Sequence, residues 1–208
     1  MEEPISADGL RGVLHNPDNP DGSALALTHG AGSDHRSPLL VQIARALSNG
    51  GTLVLRYDLP YRLEGRKTPP LPAAQHRDRE GITRAVEYLR SRATGRVIAG
   101  GHSYGGRQTA MAAAENPKLC DALLLLSYPL HPPDRPEKAR TAFFPDWRLP
   151  ALFVHGSRDP FGSLDERRDA LKLISARVEV LPVDLAAHDL KRADPTAIIQ
   201  HLRALVLS

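Results

Sequence analysis

Short apolar runs alternate along the chain with longer segments in which apolar residues recur every three or four positions. The runs are bounded by turn residues and are nearly all apolar, as in strands buried on both faces. They cover residues 24–28, 52–57, 97–100, 122–126, 151–155 and 178–181. The helical spacing covers residues 38–47, 75–91, 107–114, 164–174 and 196–207. This alternation predicts an α/β protein with one doubly wound, mainly parallel sheet and helices on both of its faces.

Two stretches depart from this pattern. Residues 1–22 contain one extended piece, from Leu10 to Leu14, followed by a turn-rich run, which predicts an edge hairpin or a single strand. Residues 127–150 form an irregular, proline-rich insert between two predicted strands. Because the chain shows no repeat and no linker, we expect a single domain over residues 1–208 in which this insert is a minimal lid.

Composition narrows the class of protein. An apolar content of 41% and a charged content of 25% are typical of a soluble globular domain. The net charge is only +3, and acidic and basic residues are interleaved along the chain. Both features disfavour nucleic acid as a partner. The only cysteine is Cys120, so no disulfide can form within the chain. No signal-peptide pattern and no membrane-spanning apolar run is visible, so we expect a cytoplasmic protein with no membrane partner.

The most informative motif is the G-x-S-x-G pentapeptide that runs from Gly101 to Gly105. It lies between an apolar strand and a helix of small residues, the context in which this motif places a nucleophilic serine, here Ser103, on a sharp turn. Glycine is needed on both sides because the turn is strained and closely packed. A phosphate-binding loop would end in Gly-Lys-Ser/Thr, whereas this chain has Arg107 after the second glycine pair. The alternative interpretation, a glycine-rich turn that binds nothing, remains open.

Further candidates follow other predicted strands, at the sheet edge where ligands of doubly wound folds bind. Asp159 follows the strand at 151–155, and His188 follows the strand at 178–181. Serine, aspartate and histidine in this chain order match the α/β-hydrolase triad, in which histidine activates the serine and the carboxylate orients the histidine. Asp184 or Asp189 could orient His188 instead, Asp159 could be a cap, and His188 alone could be a surface residue.

The same edge predicts an oxyanion hole. We expect one N–H donor from Tyr104, directly after the serine, and another from the loop after the first core strand, at Ala31. His29 and His102 are interpreted as structural because they precede these positions. No metal is expected, because His29, Asp34 and His35 match no ligand pattern. No cofactor is expected either, since the glycine-rich loop lacks the third glycine of a dinucleotide fingerprint.

Six pieces of the chain carry a resemblance to a known family: residues 29–32, 56–61, 100–107, 128–133, 156–162 and 188–190. With these pieces the chain resembles small α/β-hydrolases of the dienelactone-hydrolase-like group, and more narrowly the branch that includes an animal testis-expressed protein and a subunit of a histone acetyltransferase complex. The resemblance implies a triad of Ser103, Asp159 and His188 and no large cap domain.

Two positions differ from the group. Dienelactone hydrolases proper use a cysteine nucleophile, which residue 103 is not, so their lactone substrate is not carried over. His102 and Tyr104 stand where the branch more often has lysine and methionine, a difference that alters the surroundings of the nucleophile.

A short insert stiffened by proline favours small soluble esters or thioesters over long-chain lipids as the substrate. Arg56 and Arg107 are possible substrate-binding residues for an anionic ester, although Arg56 could instead pair internally with Asp58 or another carboxylate. A binding or scaffold protein on the hydrolase fold is the competing class of function. A lyase or perhydrolase reaction on the same triad is a further alternative.

Overall fold

The computed structural model describes residues 1–207 and the side chains of residues 1–206. Within this range the chain forms one eight-stranded sheet. Its strands are β1 (Glu2–Ala7), β2 (Leu10–His15), β3 (Ala24–Thr28), β4 (Leu53–Tyr57), β5 (Val97–His102), β6 (Ala122–Leu126), β7 (Ala151–Gly156) and β8 (Val178–Val183). The α-helices are α1 (Pro38–Asn49), α2 (Pro60–Leu63), α3 (His76–Arg90), α4 (Tyr104–Glu115), α5 (Leu164–Leu171) and α6 (Pro195–Leu207). The predicted α/β class and the helices on both faces are confirmed.

The amino-terminal hairpin is longer than predicted. β1 pairs with β2 in an antiparallel register from Glu2–His15 to Ala7–Leu10. Its turn is Asp8–Gly9, both with positive φ, and this pair is a common two-residue hairpin signal. β1 is mostly exposed, so it carries no apolar run by which periodicity could find it.

The order of the strands creates a crevice at one end of the sheet. The order is β1-β2-β4-β3-β5-β6-β7-β8, with β3 to β8 parallel and the first two strands antiparallel. From β3 the chain moves outward to β4 and then returns to place β5 on the other side of β3. Ligands of doubly wound sheets bind at such a reversal, beyond the carboxyl ends of the strands. In this chain that position is the end of β3 and β5.

Two apolar layers cover the sheet. Side chains alternate between the faces of a strand, so Leu123 and Leu125 of β6 pack with α3 and α4, while Leu124 and Leu126 pack with α1 and α6. All four leucines are fully buried. The sheet is therefore enclosed on both sides, and its carboxyl end is held between two packed layers.

The insert at 127–150 packs against the core. Phe144 and Trp147 are fully buried, and their rings lie 5.7 Å apart. Tyr128 and Trp147 both contact Phe153 of β7, at ring-centroid distances of 5.9 and 5.8 Å. The insert therefore adds an aromatic cluster to one face of the sheet.

Among residues 1–207, no helix is both long and apolar enough to cross a membrane.

Candidate active site

Ser103 lies on a strained turn between β5 and α4. Its φ is 50° and its ψ is −114°, a conformation that a residue with a side chain rarely adopts. The flanking glycines have no room for a side chain: a Cβ at Gly101 would lie 2.7 Å from the nitrogen of Gly106, and one at Gly105 would lie 2.7 Å from Thr28 Cγ2. The turn therefore has the geometry that the G-x-S-x-G motif predicts.

The three predicted triad residues lie in contact. His188 Nε2 is 2.7 Å from Ser103 Oγ, and His188 Nδ1 is 2.8 and 3.0 Å from the two oxygens of Asp159. With the proton on Nδ1, the imidazole donates to the carboxylate and accepts the serine hydroxyl proton at Nε2. The structure therefore brings together a hydroxyl, an imidazole and a carboxylate beyond the ends of β5, β7 and β8. Their arrangement is that of a nucleophile, its base and the group that orients the base.

Asp159 is held as a buried carboxylate. Its side chain is fully buried and also accepts the Phe161 N–H at 2.9 Å. Burial raises its pKa, but the hydrogen bonds and charge of His188 and the Phe161 N–H outweigh this, so the pKa lies below its usual value. The other two aspartates do not take this place, since Asp189 pairs with Lys191 at 2.9 Å and Asp184 is exposed.

Two further side chains fix the position of His188. His102 Nε2 donates to the backbone oxygen of His188 at 2.9 Å. Phe161 packs its ring on the imidazole of His188 at a centroid distance of 4.3 Å. His102 is structural in this sense, as predicted from the sequence. The role of Phe161 was not predicted, because no sequence pattern indicates which aromatic ring packs on a given histidine.

The two predicted oxyanion donors lie beside Ser103. Tyr104 is the first residue of α4, so its N–H has no acceptor within the helix. Ala31 is exposed on a turn closed by the Ser33 N–H and the Gly30 carbonyl at 3.2 Å. A Cβ on Gly30 would lie 3.3 Å from Ser103 Cβ, so this loop passes directly against the serine. Donation to an oxyanion by either N–H stays a prediction.

The loop after β3 is tied down by buried polar groups. Asp58 accepts hydrogen bonds from Arg11 Nε at 2.7 Å and from the His35 N–H at 2.8 Å. Burial raises the pKa of Asp58, but the side chain and N–H of His35, together with Arg11, hold it below its usual value. His29 donates from Nδ1 to the Gly30 carbonyl at 2.9 Å. These bonds fix the backbone that carries Ala31.

The predicted substrate-binding role of Arg56 is contradicted by its position. Arg56 is only 3% exposed, donates from Nε to His15 Nε2 at 2.7 Å, and also donates to the His35 carbonyl. Its nearest carboxylate is Glu2, at 3.8 Å, rather than Asp58. Arg56 faces inward from β4 and anchors the loop after β3, so it has no access to a substrate.

Arg107 also does not line the groove at Ser103. It is partly buried on α4, and its Nε is enclosed without a hydrogen-bond partner among the described residues. Its predicted contact with substrate is therefore not supported by the geometry.

A groove of about 540 Å³ opens at Ser103. Apolar side chains of Leu39, Phe161 and Leu190 form part of its wall, and its charged lining residues, Asp189 and Lys191, pair with each other. None of residues 127–150, all of which the structure describes, lines it. Within residues 1–207, no group of three histidine, cysteine, aspartate or glutamate side chains could hold a metal ion.

The chain belongs to the family described as the alpha/beta hydrolase domain, which matches residues 21–201. It is similar in structure to a dienelactone hydrolase from Anabaena variabilis, with 23% identity, coverage of 100% of this chain and 97% of that chain, and a TM-score of 0.78. It is also similar to an α/β serine hydrolase without lid from Xanthomonas campestris, with 18% identity, coverage of 100% and 96%, and a TM-score of 0.80.

A further similar structure is Est1E from Butyrivibrio proteoclasticus, with 17% identity, coverage of 100% and 99%, and a TM-score of 0.74. These likenesses establish the α/β-hydrolase fold, and the family match supports hydrolase chemistry. The predicted superfamily is confirmed. The narrower branch stays a prediction from the motifs.

The buried pair of His15 and Arg56 predicts a pH dependence of stability. Burial, followed by the charge of Arg56, lowers the pKa of His15 from 6.5 to about 4. Below pH 6.5 the unfolded chain binds a proton that the folded chain does not bind until about pH 4. The free energy of unfolding therefore falls as the pH decreases through this window, by up to about 1.4 kcal/mol per pH unit for this histidine.

In His15→Gln the amide oxygen can still accept from Arg56 but cannot titrate, so we expect a shallower fall in the free energy of urea unfolding between pH 6.5 and 4.5. The slope is reduced rather than abolished, because the pKa of His155 is also lowered to about 4. The exposed His76→Gln controls for the loss of an imidazole as such. Parallel curves for the native chain and His15→Gln would contradict this account of the pair.

Proposed function

We propose that the protein is a serine hydrolase that cleaves small, neutral esters or thioesters through an acyl-enzyme on Ser103. The observation that carries this proposal is the contact of His188 Nε2 with Ser103 Oγ at 2.7 Å, with Asp159 at the opposite nitrogen of the ring. A serine hydroxyl becomes a useful nucleophile only when a positioned base removes its proton. The match to alpha/beta hydrolase domains supports the same class of reaction.

In the first half-reaction, Ser103 Oγ attacks the ester carbonyl carbon and its proton passes to His188 Nε2. Asp159 stabilises the resulting imidazolium. The negative charge on the former carbonyl oxygen is met by the N–H groups of Tyr104 and Ala31. The tetrahedral species then collapses, the bond to the leaving oxygen or sulfur breaks, and His188 returns the proton to the leaving alcohol or thiol.

In the second half-reaction, water takes the place of the leaving group. His188, neutral again, removes a proton from the water as its oxygen attacks the acyl carbon. Collapse of the second tetrahedral species breaks the bond to Ser103 Oγ and returns the proton to it. The carboxylic acid leaves and the free enzyme is restored.

The groove supports a small, neutral substrate. Its lining cation, Lys191, pairs with Asp189, and Arg56, the strongest candidate for an anion clamp in the sequence, lies buried behind the loop. A groove of about 540 Å³ without a cover from residues 127–150 suits a short acyl chain better than a lipid chain. We also propose that the chain belongs to the branch with the testis-expressed protein. This membership does not by itself indicate a substrate.

The triad predicts how activity depends on two substitutions. We expect Ser103→Ala to lower kcat for p-nitrophenyl acetate by at least about 10³-fold, because the nucleophile is lost. We expect Asp159→Asn to lower it by about 10³- to 10⁴-fold, because an amide no longer selects the required tautomer of His188. Steady-state kinetics at pH 7.5 measure both.

Ser91→Ala is the matched control, since Ser91 is exposed at the end of α3, and its kcat should equal that of the native chain. If the folded native chain does not turn over any ester or thioester, the scaffold alternative replaces this proposal. If Ser103→Ala keeps native activity, Ser103 is not the nucleophile.

The groove predicts the preferred substrate. We expect kcat/KM for acetyl and butyryl esters to exceed that for a dodecanoyl ester of the same alcohol by about tenfold or more, because the longer chain finds no enclosed apolar wall. The kcat/KM for a monosuccinyl ester should not exceed that for its uncharged butyryl counterpart, because the groove offers no unpaired cation among the described residues. A preference for the dodecanoyl or the succinyl ester would contradict the proposed substrate class.

A further inference from the structure

Asp78 is a buried carboxyl group that the proposed mechanism does not use. It lies in the first turn of α3 and is only 1% exposed. Among the described residues, no lysine, arginine or histidine nitrogen lies within 4.0 Å of it. Burial of a carboxylate without a cation is costly. The presence of aspartate therefore requires an explanation.

The two oxygens of Asp78 are bound by residues on different elements. Oδ2 accepts the hydroxyl proton of Tyr104 at 2.6 Å, and Oδ1 accepts the Tyr61 N–H at 3.2 Å. Burial raises the pKa of Asp78, and the hydrogen bonds from Tyr104 and Tyr61 oppose that rise. Burial and Asp78 raise the pKa of Tyr104, so its phenol remains a donor. Tyr104 and Asp78 therefore form a short, buried hydrogen bond.

Both partners of Asp78 support the predicted oxyanion hole. Tyr104 follows Ser103 and carries one of the two backbone donors. Tyr61 packs its ring edge-on against Tyr104 at 6.0 Å and against His29 at 5.7 Å, and His29 in turn holds the Gly30 carbonyl at 2.9 Å. A single carboxylate is therefore connected directly to Tyr104, next to the turn at Ser103, and through two packed rings to the loop with Ala31.

We propose that Asp78 is a positioning residue that fixes Tyr104, and with it the direction of the Tyr104 N–H, toward the charge that develops on the substrate oxygen. This inference rests on the proposed function. Displacement of a catalytic donor by a fraction of an ångström weakens transition-state binding more than substrate binding. Loss of the tether should therefore lower kcat and leave KM nearly unchanged.

The test compares two tyrosines that each lose one buried hydroxyl. Tyr104→Phe keeps the ring and the backbone N–H and removes the bond to Asp78. Tyr57→Phe is the matched control, because Tyr57 is 1% exposed and its hydroxyl has no hydrogen-bond partner among the described residues. Asp78→Asn is the conservative variant, which keeps one acceptor oxygen.

All variants are assayed with p-nitrophenyl acetate at a temperature at which circular dichroism shows them fully folded. We expect Tyr104→Phe to lower kcat by about tenfold or more with KM within about threefold of native. The kcat of Asp78→Asn should lie between those of Tyr104→Phe and the native chain, and the kcat of Tyr57→Phe should equal that of the native chain. If Tyr104→Phe does not fold, the comparison of Asp78→Asn with Tyr57→Phe decides the matter on the same kcat readout.

The outcomes separate this inference from the function beneath it. If the native chain hydrolyses the ester and both phenylalanine variants, or Asp78→Asn and Tyr57→Phe, have equal kcat, Asp78 is structural only and the inference is overturned. If KM rises while kcat holds, the carboxyl affects substrate binding and the inference is equally wrong. If the folded native chain has no hydrolase activity, the proposed function is removed and the inference with it.

Discussion

Two backbone turns meet at the carboxyl end of the sheet with no space for a side chain between them. The loop after β3 approaches so closely that a Cβ on Gly30 would lie 2.9 Å from His102 Nδ1. The turn at Ser103 is equally tight against Thr28. Because β3 and β5 are hydrogen-bonded neighbours, this contact is set by the sheet itself. The serine, its strained backbone and the candidate oxyanion donors all depend on that close approach.

Buried carboxylates hold this contact in place from three directions. Asp58 ties the loop after β3, Asp78 ties Tyr104, and Asp159 orients His188. Each is at most 6% exposed, and each accepts hydrogen bonds from at least two residues. Burial of each carboxylate costs desolvation free energy, which the hydrogen bonds it accepts offset. A common reason for the polar choice is that hydrogen bonds fix direction, which a preorganised site requires.

The sequence predicts the core of this fold well, because buried parallel strands appear as uninterrupted apolar runs: β3 and β6 begin and end where predicted. The contact between Ser103, His188 and Asp159 could be predicted because these residues follow strands in a characteristic order. β1 was not located, although an edge hairpin was one of the two predicted arrangements, because an exposed edge strand has no apolar pattern. For Arg56 the sequence left a substrate contact and an internal contact both open, and the structure supports the internal one. The sequence could not decide between them because the burial of Arg56 depends on the hairpin that covers it.

Other features have no local signal at all. The packing of Phe161 on His188 joins residues far apart in the chain, and so does the bond from Asp78 to Tyr104. Residues 127–150 were expected to form a minimal lid because they are an irregular insert, whereas their aromatic residues pack against β7. In each case the decisive contact forms only in the folded structure, and no pattern in a single sequence indicates it.

The most direct test of the central claim is tandem mass spectrometry of the native chain after reaction with a fluorophosphonate. An activated nucleophile at the turn between β5 and α4 predicts one adduct per chain, located on Ser103, that forms far more slowly in His188→Ala. A folded native chain that gains no adduct, or gains it on a residue other than Ser103, would contradict the account.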